Sequence, residues 1–112
     1  MARGATGLLA LLLAGGAQAP AQLRVEVSEN PVRSDQVVIS WPAATGNASV
    51  SIFGFTGDRL FTTTVPAPNN EYVWDLTLGG GARRVVNGAY IVVVDVDGHR
   101  YRRRLFVARP AP

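Results

Sequence analysis

Near the C-terminal end, the dipeptide Asp97-Gly98 separates two uninterrupted runs of strand-forming residues, 89–96 and 99–108. Asp-Gly in a two-residue loop favours the type I′ turn, in which both central residues take positive φ, and that turn folds its flanks into an antiparallel hairpin. Nothing else in the chain limits the fold so tightly. The turn also dictates partners: Val96 faces His99, Asp95 faces Arg100, Val94 faces Tyr101, Val93 faces Arg102, Val92 faces Arg103 and Tyr90 faces Leu105. Side chains alternate along a strand, so Arg100, Arg102 and Arg104 share one face. Tyr90, Val92, Val94, Tyr101, Leu105 and Val107 share the other, the expected core face. Arg103 falls on that apolar side, where its stem can pack while its guanidinium escapes.

Upstream, the same alternation recurs in shorter pieces. Residues 23–27 read as a first strand, stopped by Asn30-Pro31 because proline has no N–H for a ladder. Residues 36–41 form a second, closed by Pro42. Residues 48–53 alternate small and apolar side chains, the pattern of a strand with one buried and one wet face. Thr56-Gly57-Asp58 reverses the chain into residues 59–65, rich in β-branched and aromatic side chains. After Pro66-Ala67-Pro68-Asn69-Asn70 comes a short fifth strand, 71–75. Gly79-Gly80-Gly81 then forms a crossover loop with its exit at Asn87-Gly88. With the terminal hairpin this makes seven strands and no helical period after the N-terminal segment. Short strands at intervals of about 8–12 residues with turn chemistry between them predict an antiparallel β-sandwich.

The N-terminus differs in kind. Residues 1–21 carry a single Arg3, the apolar run Leu8-Leu9-Ala10-Leu11-Leu12-Leu13-Ala14, and small residues ending Ala19-Pro20-Ala21. This is the layout of a secretory signal, with cleavage expected after Ala21. Residues 22–112 then make one domain, exported to the periplasm, the outer-membrane surface or the outside. The apolar run falls short of the about 20 residues that span a bilayer, so no transmembrane segment is expected in the mature chain. The absence of cysteine excludes disulfides, thiolate metal sites and a cysteine nucleophile. Eleven basic residues, all arginine, stand against eight acids, a formal charge of +3 that falls to +2 without Arg3. That field is weak, and the Ala, Gly, Pro and Val content points to codon bias behind the arginine usage. An anionic surface glycan is the partner class that the charge admits; nucleic acid is not expected outside the cytoplasm.

The motifs then fall in a recognisable order. Glu29-Asn30-Pro31-Val32-Arg33-Ser34 opens a strand. Ser51-Ile52-Phe53 precedes Thr56-Gly57-Asp58-Arg59-Leu60, Val73-Trp74-Asp75 follows, and Asn87-Gly88-Ala89-Tyr90 leads into the terminal hairpin. Together, over about residues 28–109, they resemble the C-terminal sorting domain of type IX secretion cargo and the related Ig-like module of the flagellar hook-capping protein. The signal segment favours the secretion branch, because hook proteins leave through the flagellar channel without a cleaved signal. The resemblance implies a seven-stranded Ig-like, fibronectin III-like sandwich with no catalytic residues and no cofactor. Its terminal hairpin would be read by outer-membrane export machinery. The positions that carry the family motif are Asn30, Pro31, Gly57, Trp74, Asp75, Gly88 and Tyr90, with Arg100, Arg102 and Arg104 on the hairpin. A free-standing carbohydrate-binding or other surface module is the alternative.

No catalytic constellation competes with a binding role. Asp95 and Asp97 could pair for acid–base work or a cation, yet Asp97 is needed by the turn and Asp95 by Arg100. His99, the only imidazole, sits beside the turn and has no second histidine for a metal site. Ser28, Ser34, Ser40, Ser49 and Ser51 lack a nucleophile-elbow setting. Gly79-Gly80-Gly81 before Arg83-Arg84 lacks the Lys-Ser/Thr of a phosphate loop. Asn47-Ala48-Ser49 reads as a turn. Trp41, Trp74, Phe53, Phe55 and Tyr90 could form a sugar-stacking platform, with core packing the expectation for both tryptophans.

Overall fold

A computed structural model describes residues 24–78 and 83–110; the expected signal segment 1–21, Gly79-Gly80-Gly81 and Ala111-Pro112 lie outside the described residues. Seven strands form, β1 (Glu26–Val27), β2 (Val37–Ser40), β3 (Ala48–Gly54), β4 (Arg59–Val65), β5 (Glu71–Trp74), β6 (Gly88–Val96) and β7 (His99–Val107), with no helix among the described residues. They make two antiparallel sheets, β1-β2-β5 and β4-β3-β6-β7, the arrangement of a β-sandwich. Each expected strand is present within a few residues of its expected bounds.

The terminal hairpin has the register that its turn requires. Val96 pairs with His99, Asp95 with Arg100, Val94 with Tyr101, Val93 with Arg102, Val92 with Arg103 and Tyr90 with Leu105. Asp97 and Gly98 take φ of 52° and 78°, both positive as type I′ geometry demands.

Between the sheets lie the side chains that alternation turned inward. Ile39 and Val37 of β2, Val50 and Ile52 of β3, Val92 and Val94 of β6, and Leu105 and Val107 of β7 are all buried, together with Trp41, Trp74 and Leu76. Enclosing each large apolar side chain contributes about 1.5–3 kcal/mol, the main stabilising term in a chain without disulfides. Arg103 keeps its stem on this side, and its Nη1 donates to the carbonyl of Val25 at 3.3 Å, bridging the two sheets.

Three connections shape the functional surface. After β1 the chain leaves the three-stranded sheet, and Val32 forms a parallel bridge to Val107 at the edge of the other sheet. Val32 N donates to Phe106 O at 2.7 Å, and Ala108 N donates to Val32 O at 2.8 Å. Between β3 and β4, Gly57 turns the chain at φ 96°, and a register shift after Ile52 pairs Phe53 with Arg59. In the crossover from β5 to β6, Leu76 and Leu78 pair back on Val85 and Arg83 through Val85 N to Leu76 O and Leu78 N to Arg83 O. The flanks of the glycine run are thus tied together.

Candidate functional site

The outer face of β6 and β7 carries the three arginines expected there, and β3 and β4 extend that face sideways. Arg100 and Arg102 rim a shallow cleft of about 210 Å³ whose other margin is Arg59 and Gly57 and whose floor includes Phe53, Ile91 and Val93. Val93 is only 6% exposed and Ser51, its partner on β3, only 5%, although both point away from the core. Long side chains on neighbouring strands cover them, and Arg102 lies directly opposite Val93. The Ser51 and Thr62 hydroxyls meet at 2.9 Å, and Thr62 Oγ1 also donates to Val50 O at 3.2 Å. Both hydroxyls are thus engaged with each other, and that of Thr62 with the backbone as well.

Of the three arginines, Arg100 has a fixed counter-charge: its Nε donates to Asp95 Oδ1 at 2.7 Å, and its Nη2 reaches Asp95 Oδ2 at 3.4 Å. That hydrogen bond, with the attraction of the carboxylate, raises the guanidinium pKa further above its ordinary range. Arg102 and Arg104 stand exposed on the same face. A row of guanidinium groups beside an apolar floor can hold carboxylate or phosphate groups bidentately while packing an apolar segment.

The two aspartates considered as a pair act separately. Asp97 turns to the other loop, where Oδ2 accepts from Thr45 N at 3.0 Å and Oδ1 from Gly46 N at 2.9 Å. His99 is exposed, with its ring 6.1 Å from that of Tyr101. No group of three or more histidine, aspartate or glutamate side chains among the described residues could hold a metal ion.

The motif residues meet the hairpin by different routes. The Asn30 amide works as a substitute strand residue along the β7 edge: Nδ2 donates to Arg104 O at 3.2 Å, and Oδ1 accepts from Phe106 N at 3.0 Å. Pro31 lies exposed beside it. Gly88 opens β6 opposite Val107. Tyr90 is buried, its hydroxyl donates to Val86 O, and burial raises its pKa while nearby Arg109 lowers it. Trp74 packs edge-on to Tyr90 with centroids 6.0 Å apart, and its Nε1 donates to Thr77 O at 2.9 Å. Asp75 lies away from the arginine face and holds the following turn, accepting from Thr77 N at 3.2 Å and Thr77 Oγ1 at 2.6 Å. Trp41 and Trp74 are both fully enclosed, so neither can form a sugar platform; of the five platform candidates Phe55, at 81% exposure, is the one left exposed.

Sequence reading missed Asn87, whose side chain pairs with both the N–H (3.0 Å) and the carbonyl (2.9 Å) of Arg109 and so holds the end of β7 from the β6 side. The proximity of Asn87 to Gly88 marked a turn but not this clamp. No protein-family model matches the chain, and no curated protein matches it at a significant level.

Proposed function

We propose that this chain is a non-enzymatic, exported Ig-like module whose terminal hairpin is its recognition surface, of the class that outer-membrane export machinery reads in type IX secretion. The fibronectin III-like form of the sandwich is supported by the pairing of β4 with β3, not with β5. It is supported further by the hydrogen bond from Tyr90, at the start of β6, to backbone four residues upstream, the arrangement of a tyrosine corner. The observation that carries the functional reading is convergence. Asn30, far in sequence from the hairpin, bonds to β7, and Trp74 packs on Tyr90 of β6, the strand that Gly88 opens. Their combined effect is to hold the hairpin while leaving Arg102, Arg104 and the β7 edge over 99–103 without a paired strand among the described residues. A partner strand or an acidic segment could be read there.

The test is export. Residues 22–112 fused behind a signal-bearing reporter should carry it across the outer membrane of a host with type IX machinery. A fusion ending at Arg109 should be exported at least as well. Exchanging Arg102 and Arg104 for glutamine should trap the reporter in the periplasm while its circular dichroism spectrum stays that of the parent. If no fusion leaves the periplasm while a known sorting domain does, the sorting reading fails and a surface-polymer binding module replaces it.

A further inference from the structure

A second cleft, of about 730 Å³, lies at the far end of β7 and shares no lining residue with the arginine face. β7 is nine residues long, so the two ends are about 30 Å apart at ~3.3 Å per residue. Three arginines from distant parts of the chain meet in it: Arg33 after the Val32 bridge, Arg84 in the crossover, and Arg109 just beyond β7. Among the described residues the one carboxylate lining it is Asp35, which accepts from Arg84 Nη1 at 3.0 Å in an exposed pair. The cleft therefore has two positive charges in excess of its negative charge. Arg109 is the one of the three with a buried donor left over. Its Nη2 donates to Val85 O at 3.0 Å, while its Nε is buried with no hydrogen-bond partner among the described residues. Buried donors without partners are rare in folded proteins, and a water or an ion is among the groups that satisfy them. Val85, Val86 and Pro110 supply an apolar wall beside the guanidinium groups, and Val86 is 77% exposed.

The geometry points to a binding site for a phosphate monoester carried on a compact organic body such as a sugar. A phosphate monoester carries about −1.5 to −2 charges at pH 7, which matches the excess of two in the cleft. Guanidinium forks recognise its oxygens bidentately. The apolar wall suits the carbon face of a sugar ring. This site is independent of the hairpin surface, so either can fail without the other.

Binding is tested by following the arginine Nε–H and backbone amide resonances of the isotopically labelled protein. Inorganic phosphate should give saturable shifts at Arg109, Arg84 and residues 85–87, and a hexosamine phosphate should give the same shifts at lower concentration. Vesicles containing phosphatidic acid, compared with vesicles of phosphatidylcholine alone, separate a lipid source from a soluble one. Arg33→Gln removes an exposed charge without touching the core, and should weaken binding by about tenfold, the effect of one charge-assisted pair. Arg109→Gln should weaken it further, and Arg102→Gln should leave it unchanged. Affinity should also fall as pH drops below about 6, where the ligand loses its second charge. Shifts that grow linearly and equally with phosphate, sulfate and chloride would show screening alone and overturn the proposal. So would saturable binding that Arg33→Gln leaves intact or that maps to Arg102 and Arg104.

Discussion

The Trp74 indole is fully enclosed, lies 6.0 Å from the rings of both Phe61 and Tyr90, and places its one polar atom against Thr77 O. Truncation therefore removes core volume and a buried hydrogen-bond donor together. Trp74→Ala should cost about 3–5 kcal/mol, the range for large aromatic truncations. A small domain has only about 5–10 kcal/mol in all, so this variant should lose about a third of its stability or more. Trp74→Phe keeps most of the volume and loses the donor, and should cost about 1–3 kcal/mol. Chemical denaturation of the three proteins checks the order, and an unshifted midpoint for Trp74→Ala would place the indole outside the core. Trp41 shows how the same enclosure arises without an apolar neighbour in sequence: its backbone N–H donates to Asn70 O at 3.1 Å, and Asn70 Nδ2 returns a bond to Trp41 O at 2.9 Å. The Trp41-Pro42 step ends β2, but this exchange continues the β2–β5 pairing past it. Trp41, one residue past β2, is in this way as buried as Trp74 at the end of β5.

At the scale of elements, the β6–β7 turn holds more than its own hairpin. Asp97 stays in the left-handed region while its carboxylate grips Thr45 and Gly46 of the β2–β3 loop. A Cβ on Gly46 would lie 2.4 Å from Asp97 Oδ1, so a side chain there must push the carboxylate from its place. Gly46→Ala should destabilise the parent protein, and should cost less on an Asp97→Gly background where the opposing carboxylate is gone. The coupling expected from a double-mutant cycle is about 1 kcal/mol or more. Equal costs on both backgrounds would mean that the carboxylate does not hold the loop. The hairpin register was legible because a two-residue turn leaves one choice of partners, and a one-residue slip would turn Val92 and Val94 to solvent. The Asp97 grip on a loop about fifty residues away was not, since a side chain reaching across the end of a sandwich leaves no periodic trace. The burial of Ser51 and Val93 on the outer face was hidden for a related reason. Alternation gives the direction of a side chain but not what lies over it, and the cover comes from long side chains on adjacent strands. The meeting of Arg33, Arg84 and Arg109 depends on the whole topology and has no local signature at all.

For the whole molecule, two open sheets mean four edges, and each is managed differently. β1 has only two residues, β5 has four and begins with Glu71, and β4 departs from regular pairing at its register shift. The long edge belongs to β7. Its turn-proximal half is studded with exposed Arg100 and Arg102, and its distal half is covered by Asn30 and Val32 in place of a strand. This cover explains why Asn30 belongs with β7 residues that lie more than seventy positions away. Asn30→Ala would leave Phe106 N and Arg104 O without these bonds on an edge that already presents Phe106, 44% exposed. At an exposed edge, lost pairing of this kind costs about 0.5–1.5 kcal/mol and offers a template for a second chain. The expected result is a lower denaturation midpoint together with concentration-dependent association in light scattering. Asn30→Asp retains an acceptor for Phe106 N but no donor for Arg104 O, and should fall between the alanine variant and the parent in both measurements. If Asn30→Ala were as stable as the parent and stayed monomeric at every concentration, the Val32 bridge alone would be protecting the edge. The hold of Asn30 on the hairpin would then lose its structural purpose.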